Sequence, residues 1–454
     1  MKFPVSKAGA LGAAMILALG SVITGCGPKT ETLLSATAAP QADQREPVYY
    51  WHMWSAEWQP VMEHVVDEFN ASQTKYRVIP LQIPYGSADS KFLLSVAGGN
   101  PPDVMAQWTQ AISTWSQGGI LQPLETRMTP AERQYFDHDT YPVIHNNGWY
   151  KGHLYGMVMG VDVYACYYRV DDFQKAGLDP DKFPTTLEEL TTVGHKLDQF
   201  EGGNLTRVGF LPSGLTQYAP SFGGGFYDAA THQVLLNTPQ NLKALTYLVD
   251  TKNQLGMDRV MRYSSSLKSQ NGASWPFIDG SVSISLDGEW RVQQLAKFAP
   301  NLKYKVALLP PPAGGKAVAS YSNTNFLTIP AGAKHAQGAW EFIKFWAGLN
   351  DHNRAAEFNT RFGWLPSSNQ MLAAPAYQAY LKKYPQYKAF VTLAASPNLV
   401  TIPPTAYQMY LADHISSADD LAERGSLSPA AALTGLEHDV ARERARRKEL
   451  GYDE

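Results

Sequence analysis

Carboxylate side chains are the residues of this chain that could carry out acid–base chemistry. Hydrolysis of a glycosidic bond needs two carboxyls that face the same bond. Asp162, Glu57, Asp287 and Glu289 could supply them, but nothing in their sequence pattern marks an acid–base pair. A secreted carbohydrate-active enzyme is therefore the less favoured class for this chain.

Other catalytic motifs give no support for an enzyme either. The sequence contains no G-x-S-x-G, H-E-x-x-H or phosphate-binding-loop motif. Two S-x-x-K matches, at residues 72–75 and 265–268, have neither S-D-N nor K-T-G to accompany them and are chance matches. The histidines show no metal-ligand spacing. We predict a protein without catalytic residues, metal or cofactor.

Aromatic content and charge favour the binding of a small solute. The chain has 11 Trp and 24 Tyr, and the rings that the core does not use suit a binding cleft because each joins an apolar face to a polar group. Lys and Arg total 38 against 41 acidic residues, so the chain has no excess of positive charge for a nucleic acid. We expect no nucleic-acid partner.

The N-terminus has the pattern of a bacterial lipoprotein signal. Lys2 and Lys7 accompany an apolar run over residues 8–22 that is too short and too interrupted by Gly for a membrane span. The run leads to Ile-Thr-Gly-Cys ending at Cys26, which resembles a lipobox, the site at which a cysteine is acylated and becomes the mature N-terminus. We predict a signal peptide over residues 1–25 and a protein that is lipid-anchored on the outer, extracytoplasmic face of the bacterial cell membrane.

The two cysteines have different predicted roles. With Cys26 lipidated, Cys166 has no partner for a disulfide and is expected to be a small buried strand residue. Residues 26–47 are rich in Thr, Ala and Gln and have few large apolar side chains, so we predict a flexible tether there. The folded part then begins near residue 48.

Alternating strand and helix patterns predict an α/β fold with much parallel pairing. Runs rich in Val, Ile and Tyr predict strands, which include residues 48–51, 76–83, 103–108, 161–169, 282–286 and 305–309. Apolar residues at helical spacing predict helices, which include residues 61–69, 91–97, 242–255, 290–298 and 337–347 and most of 377–436. The two α/β halves suggest two lobes, each with its own sheet.

Helix start signals are clearest in three places. Asp171 or Asp172 can cap a short helix over residues 173–176. Thr185 and Thr186 each precede a glutamate by three residues, which is typical of a capping box. Ser428 followed by Pro429 predicts the start of the last helix.

A series of motifs resembles extracellular solute-binding protein family 1, the maltose-binding-protein-like sugar receptors of ABC importers. Residues 152–190 resemble the family nearly throughout. The other matching motifs are Leu-Leu-Ser-Val-Ala-Gly-Gly-Asn-Pro-Pro-Asp-Val at 93–104, Gly-Ile-Leu-Gln-Pro-Leu at 119–124, Phe-Ile-Asp-Gly at 277–280 with Gly-Glu-Trp at 288–290, Ile-Pro-Ala-Gly-Ala-Lys at 329–334, Ala-Trp-Glu-Phe at 339–342 and Gly-Trp-Leu-Pro at 363–366. Their order and spacing extend over almost all of residues 48–436.

The resemblance implies a two-lobed, periplasmic-binding-protein-like fold with three hinge crossings. We place the crossings near residues 160–163, 320–323 and 363–368. Lobe 1 would then contain 48–161 and 322–365, and lobe 2 would contain 162–321 and 366–454. The ligand would bind in the cleft between the lobes, which close around it by a hinge motion. The transmembrane subunits of an ABC permease would recognise the closed shape.

The resemblance also implies which side chains hold the ligand. Asp162 should accept hydrogen bonds from hydroxyl groups, and Trp290 matches a position that stacks on a sugar. Gln107 and Trp108 lie where the family has a ring or a polar contact, although Gln107 precedes the Trp here. The further candidates in the first loop or at the second and third crossings are His52, Trp54, Glu57, Tyr321, Asn323, Arg361 and Trp364. Gly224 could let the backbone approach the ligand, and Tyr407 or Tyr410 could close the far wall of the cleft.

The predicted cleft favours a neutral ligand. A glycerol-phosphate or sugar-phosphate receptor would need Arg or Lys in the cleft, and a polyamine receptor would need several carboxylates. Arg361 is the clear cation of the predicted set, which is otherwise aromatic and mildly polar. We therefore predict a monomeric receptor that delivers a mono- or oligosaccharide to an ABC importer.

Overall fold

The computed structural model describes residues 43–228, 231, 233–267 and 272–452. The predicted signal peptide, Cys26 and the predicted tether up to residue 42 lie outside these ranges. Arg45–Glu454 is one compact unit. Within the described ranges, no helix combines the length and the apolar character that crossing a bilayer requires.

The strands of the described chain belong mostly to one sheet. They are β1 (Glu46–His52), β2 (Tyr76–Gln82), β3 (Val104–Trp108), β4 (Trp149–Tyr150), β5 (His153–Leu154), β6 (Met157–Arg169), β7 (Gln199–Glu201), β8 (Asn204–Phe210), β9 (Tyr227–Asp228), β10 (Gln233–Val234), β11 (Val282–Gly288), β12 (Tyr304–Ala307), β13 (Ser320–Thr328) and β14 (Leu399–Val400). The large sheet has the order β2-β1-β3-β13-β6-β11-β8-β7, with β12 paired to β6 and β14 to β13.

Helices connect these strands and cover the sheet. They are α1 (Gln59–Ser72), α2 (Ala88–Ala97), α3 (Thr109–Gln117), α4 (Pro130–Asp139), α5 (Pro142–Gly148), α6 (Val170–Lys175), α7 (Leu187–Leu197), α8 (Leu215–Tyr218), α9 (Pro239–Leu255), α10 (Met257–Ser266), α11 (Pro276–Asp279), α12 (Arg291–Phe298), α13 (Ala336–Ala347), α14 (His352–Phe362), α15 (Asn369–Ala373), α16 (Pro375–Lys383), α17 (Lys388–Ala394), α18 (Gln408–Glu423) and α19 (Pro429–Glu449). The predicted α/β class is confirmed.

Two of the three predicted helix starts are confirmed. Thr186 caps α7 by accepting from the backbone N–H of Glu189, and Ser428 caps α19 in the same way. The prediction that Asp171 or Asp172 caps a helix is wrong, because α6 begins at Val170 without a side-chain cap. Asp172 is buried inside the first turn, where Arg169 and Arg207 pair with its carboxylate at 3.1 and 3.0 Å.

β6 and β13 are the two central strands of the large sheet and join its two halves. One half contains β1, β2 and β3, and the other contains β7, β8 and β11. The first half of β6 pairs with β13, and its second half pairs with β11 on one side and β12 on the other. The end of β13 pairs with β3, while its beginning pairs with β14. The predicted crossings near 160–163 and 320–323 therefore fall within two hydrogen-bonded strands. The lobe boundaries themselves stay a prediction.

The third predicted crossing approaches β6 closely. The N–H of Val161 donates to the carbonyl of Leu365 at 3.2 Å. A Cβ on Gly160 would lie 2.9 Å from Cβ and Cε3 of Trp364, which is closer than such atoms normally approach. Gly160 thus lets the backbone of β6 lie against the indole of Trp364.

Two hydrophobic clusters carry most of the core. One surrounds β1, α13 and α14 and reaches Tyr167 in β6 and Phe390 in α17. The other surrounds α9, α18 and α19 and contains Cys166. Cys166 is buried and unpaired in β6, as predicted, and burial raises the pKa of its thiol.

A substitution of Gly160 by Val should destabilise the protein. The added side chain would overlap the Trp364 indole, and overpacking of this kind costs about 1–3 kcal/mol. Gly435→Ala in α19 is the control, since a Cβ there meets nothing within 4 Å and Ala favours a helix by roughly 1 kcal/mol over Gly. Denaturant unfolding measures the free energy of unfolding of both variants. Equal stability of Gly160→Val and wild type would contradict the close approach.

Candidate ligand-binding site

One face of β6 forms the centre of the candidate site. Because side chains alternate along a strand, Gly160, Asp162 and Tyr164 lie on the same face. On β13, Asn325 pairs with Gly160 and Asn323 pairs with Asp162. The carboxylate and the two amides therefore form a polar row where the two halves of the sheet meet.

Asn325 holds the Asp162 carboxylate in place, while the side-chain oxygen of Asn323 has no hydrogen-bond donor. Asn325 Nδ2 donates to Oδ1 and Oδ2 of Asp162 at 2.9 Å each, and Asp162 is only 6% exposed. Asn323 Oδ1 is buried and receives no hydrogen bond from the residues that the structure describes. A buried acceptor without a donor is unfavourable, so a solute hydroxyl at this position would be stabilising.

Glu289 lies beside Asp162 at the end of β11. Oε2 of Glu289 accepts from the N–H of Val163, the residue after Asp162, at 3.0 Å. Burial raises the pKa of Asp162 to about 7 and raises the pKa of Glu289 well above its ordinary value. Two adjacent buried carboxyls cannot both be charged at low cost, so burial disfavours the ionised forms of both.

A first aromatic cluster flanks this pair and is called the Trp290 group. Trp290 follows Glu289 directly and precedes α12. Its ring centroid lies 5.9 Å from that of Tyr164 at an angle of 86°, and the rings of Tyr164 and Tyr321 lie 6.3 Å apart. Trp290 and Tyr164 are half-buried, so part of each ring is accessible.

A second aromatic cluster lies on the other half of the sheet and is called the Trp54 group. The centroid of Trp54 lies 5.9 Å from that of Trp108 and 5.6 Å from that of Trp364. Tyr85 meets Trp108 edge-on at 5.1 Å. Trp364 stacks on Phe362 at 4.2 Å and is buried, whereas Trp54 and Trp108 are half-buried.

Strand direction explains why the Trp54 group assembles. β1 is parallel to both β2 and β3, so the carboxyl ends of the three strands meet at one edge of the sheet. Trp54 follows β1, Tyr85 follows β2 and Trp108 ends β3. Open α/β sheets bind ligands at this kind of edge.

Asp162 lies between the two aromatic groups. Gly160, two residues before it, packs against Trp364 of the Trp54 group. Tyr164, two residues after it, belongs to the Trp290 group. The site therefore offers partly exposed rings on both sides of Asp162, whose carboxylate is hydrogen-bonded to Asn325.

The cations predicted or found near the site are paired with carboxylates. Arg291 lies 2.9 Å from Asp287, and its guanidinium stacks over Trp275 at 4.4 Å. Arg361 pairs with Glu68 and Glu357 on the surface formed by α1 and α14 rather than beside the two aromatic groups. This arrangement offers little to a phosphate group.

Gln107 supports the Trp54 group from inside the sheet. It is buried, its Nε2 donates to Asp89 Oδ1 at 2.7 Å and its Oε1 accepts from the N–H of Trp108 at 2.8 Å. Burial raises the pKa of Asp89, and the nearby Asp413 raises it further. Gln107 thus holds Trp108 and Asp89 in place with both ends of its amide.

His52 and Glu57 lie on either side of Trp54 along the chain. His52 is buried at the end of β1, 6.4 Å from the Trp54 ring, and burial lowers its pKa to about 4, so the imidazole is neutral. Glu57 Oε1 accepts from Gln294 Nε2 at 2.7 Å and so links the loop after β1 to α12.

Gly224 and Tyr407 are not brought to the aromatic groups. A Cβ on Gly224 would lie 2.3 Å from Oδ1 of Asn241, so this glycine closes a loop onto α9. Tyr407 is 2% exposed in the cluster around α18, which leaves its ring little surface for a ligand.

Hydrogen bonds join the two predicted lobes at two places. The N–H of Ser113 in α3 donates to Gln408 Oε1 at 3.1 Å, and the N–H of Met409 donates to Thr114 Oγ1 at 3.1 Å. Glu57 and Gln294 make the contact described above. These hydrogen bonds must break if the halves are to separate.

Sequence reasoning missed four residues that the structure brings here: Tyr164, Asn325, Tyr85 and Glu289 beside Asp162. Strand alternation could have found Tyr164 and Asn325, which lie two residues from the predicted Asp162 and Asn323. The parallel strand ends could have found Tyr85. No sequence signal indicates that Glu289 meets the N–H of Val163 beside Asp162, because the two are 126 residues apart.

Replacing Gln107 with Ala should loosen the Trp54 group. The change leaves a buried N–H of Trp108 and a carboxylate of Asp89 without their partner, which costs about 1–3 kcal/mol. Denaturant unfolding and tryptophan fluorescence measure the effect. Gln59→Ala removes an exposed hydrogen bond to Glu63 and should change stability by less than about 0.5 kcal/mol. Equal effects of the two substitutions would contradict this role of Gln107.

Comparison with known proteins identifies the family. The profile of the bacterial extracellular solute-binding protein family matches residues 64–389. The maltotriose-binding protein of Pyrococcus abyssi is 22% identical over 335 residues, which cover 72% of this chain and 68% of that protein. The arabinooligosaccharide-binding protein of Bacillus subtilis is 25% identical over 299 residues, which cover 64% and 66%.

Solved structures agree on the fold. The structure of CpMnBP1 with mannotriose bound has a TM-score of 0.77 at 24% identity and covers 87% of this chain and 99% of that chain. This likeness confirms the predicted two-lobed α/β architecture. The matched profile covers well over half of the sequence, from α1 to α17. The chain belongs to the bacterial extracellular solute-binding protein family.

Proposed function

We propose that this protein is the receptor of an ABC importer and binds a neutral oligosaccharide between the Trp290 group and the Trp54 group. The observation that carries the proposal is the position of Asp162 between two partly exposed aromatic clusters on one face of β6. The chain acts by binding and release and performs no catalysis.

The chemistry of a sugar fits this arrangement. The C–H faces of a pyranose are apolar and stack on rings, while its hydroxyls donate and accept hydrogen bonds. Trp290 and Tyr164 would stack on a face of one sugar ring. Trp54 and Trp108 would stack on a second sugar ring of the same ligand. Asp162 and the open acceptor Asn323 Oδ1 would receive hydroxyl hydrogen bonds.

A neutral ligand is favoured over a charged one. Arg291 and Arg361 are already paired with carboxylates, so a phosphate ester would have to compete for them. A polyamine would need several ionised carboxylates, whereas burial raises the pKa of both Asp162 and Glu289 and so disfavours their ionised forms. Two similar proteins are named for maltotriose and arabinooligosaccharide, and the similar structure of CpMnBP1 holds mannotriose, which supports the same choice. The sn-glycerol-3-phosphate-binding periplasmic protein of Escherichia coli is also similar to this chain, so the phosphate ester is the alternative ligand to test.

Binding would require the halves to open and close. The contacts of Gln408 with Ser113 and of Glu57 with Gln294 would break for entry and form again around the solute. β6, β13 and the segment around Leu365 would act as the three hinge strands. The closed form would dock on the transmembrane subunits of the permease. The receptor would be a monomer, and the lipid on Cys26 would hold it at the membrane.

A thermal-shift screen of the mature protein tests the ligand class. The panel contains maltotriose, mannotriose, an arabinotriose, sn-glycerol 3-phosphate and spermidine. A ligand at 100 times its Kd stabilises a protein by about 2.7 kcal/mol, which raises Tm measurably. We expect a shift with at least one neutral saccharide. A shift with the phosphate ester or the polyamine alone would overturn the proposal.

Trp290→Ala should weaken the binding of that saccharide. Loss of the stacked indole should cost roughly 1–3 kcal/mol, which is about 5- to 150-fold in Kd. Isothermal titration calorimetry measures the change. Phe200→Ala is the control because Phe200 is 51% exposed on β7, away from both aromatic groups. An unchanged Kd in Trp290→Ala would exclude the stacking role.

Cys26→Ser should release the protein from the membrane. Without acyl chains the mature chain has no covalent anchor, so it should move from the membrane fraction to the soluble extracytoplasmic fraction. Cys166→Ala is the matched control, since this second cysteine is buried in β6. Fractionation of cells that express each variant makes the comparison. Membrane association of Cys26→Ser equal to that of wild type would contradict lipidation at this residue.

A further inference from the structure

We propose that Tyr377 and Tyr387 are positioning residues of the ligand site. Their hydroxyls hold the backbone of Gly363 and Trp364 in place, so that the Trp364 indole supports the ring of Trp54. The proposal rests on the proposed function for its link to the saccharide. The hold on the Trp364 backbone follows from hydrogen bonds within the protein.

The two tyrosine hydroxyls bind consecutive carbonyl groups at the third predicted crossing. Tyr377 Oη, on α16, donates to the carbonyl of Trp364 at 3.0 Å. Tyr387 Oη, in the turn before α17, donates to the carbonyl of Gly363 at 2.6 Å. Both tyrosines are fully buried, so bulk water is not available to replace either donor.

The chain needs these donors because it leaves a helix here. α14 ends at Phe362, and Gly363 follows with a φ of 70°, the left-handed conformation at which many helices end. Gly363 and Trp364 lie in neither a helix nor a strand. A buried carbonyl still requires a donor, and the two tyrosine hydroxyls supply it in place of backbone N–H groups.

Asn359 holds the same segment from its other side. Its Nδ2 donates to the carbonyl of Met159 in β6 at 2.9 Å and to that of Leu365 at 3.3 Å. Its backbone carbonyl accepts from the N–H of Trp364 at 2.9 Å. The N–H and the carbonyl of Trp364 are therefore both hydrogen-bonded, which fixes the direction of its side chain.

The Trp364 indole connects this backbone to the ligand site. It stacks on Phe362 with a centroid distance of 4.2 Å and an angle of 9°, and it packs against Gly160. Its centroid lies 5.6 Å from that of Trp54. Trp364 is 4% exposed whereas Trp54 is half-buried, so Trp364 supports Trp54 from the core side. A shift of Trp364 would move the ring on which we propose that a sugar stacks.

Phenylalanine variants test the hydroxyls with the least change in shape. Tyr377→Phe and Tyr387→Phe each remove one oxygen and leave one buried carbonyl without its donor. Each should raise the Kd of the saccharide found in the screen by about 2- to 10-fold, the factor that one hydrogen bond contributes. Isothermal titration calorimetry measures the change. A wild-type Kd in both variants would overturn the proposal.

Tyr168→Phe is the matched control. Tyr168 is also buried, and its hydroxyl donates to the carbonyl of Pro180 at 3.0 Å. Its ring packs against Phe173 and Phe183 in the second hydrophobic cluster. The variant should lose stability in denaturant unfolding, as the other two do, but keep the wild-type Kd. An equal rise of the Kd in Tyr168→Phe would overturn the proposal, because the effect would then follow stability and not position.

Double-mutant cycles show whether Tyr387 acts through Trp54. In a Trp54→Ala background, Tyr387→Phe should raise the Kd by less than about twofold, because the ring that it positions is already absent. In a Trp290→Ala background it should keep its full effect, since Trp290 belongs to the other aromatic group. A full effect of Tyr387→Phe in the Trp54→Ala background would overturn the proposed route.

Near-ultraviolet circular dichroism tests the position of Trp364 without a ligand. The tryptophan bands depend on the geometry of close rings such as Trp54 and Trp364. These bands should change in Tyr377→Phe and Tyr387→Phe and stay as in wild type in Tyr168→Phe. Unchanged bands in the first two variants would overturn the proposal. If no saccharide binds to the wild-type protein, the proposed function fails, while the tryptophan bands still decide whether the tyrosines position Trp364.

Discussion

The pairing of β6 with β13 is the interaction on which the rest of the structure depends. Each strand is hydrogen-bonded to partners in both halves of the large sheet, so the halves are joined by continuous backbone ladders. Because side chains alternate along a strand, the same ladder that joins the halves also sets Asp162 beside Asn323 and Asn325. The solute site and the connection between the halves are thus built from the same backbone.

The candidate site combines partly exposed aromatic rings with buried polar groups, and the burial of these polar groups is unfavourable for stability. Rings of the Trp54 group and the Trp290 group keep accessible surface that a core would have buried, and Asn323 keeps an acceptor without a donor. The carboxyls of Asp162 and Glu289 are both buried, and burial raises the pKa of each. Features that reduce stability without a solute are typical of a surface that is completed by one.

Much of the fold could be predicted from the sequence because it depends on local patterns. Strand and helix periodicity gave the α/β class, and the cap residues Thr186 and Ser428 marked two helix starts. The prediction of a cap at Asp172 was wrong because its carboxylate pairs with Arg207, which is far away in the chain, and with Arg169. In the candidate site, the family resemblance and not a local pattern predicted Trp54, Trp108, Trp290 and Asp162. The hydrogen bond of Glu289 to the N–H of Val163 is made only by tertiary folding. Arg361, Gly224 and Tyr407 were candidates by chain position alone, and the structure uses each in local packing or pairing.

The most direct test of the account is a crystal structure of the mature protein with the saccharide that stabilises it most. The account predicts one sugar ring stacked on Trp290 between the two halves, with a hydroxyl within hydrogen-bond distance of Asp162 and another near Asn323 Oδ1. A saccharide bound elsewhere on the protein, with Asp162 still contacted only by protein groups, would contradict it.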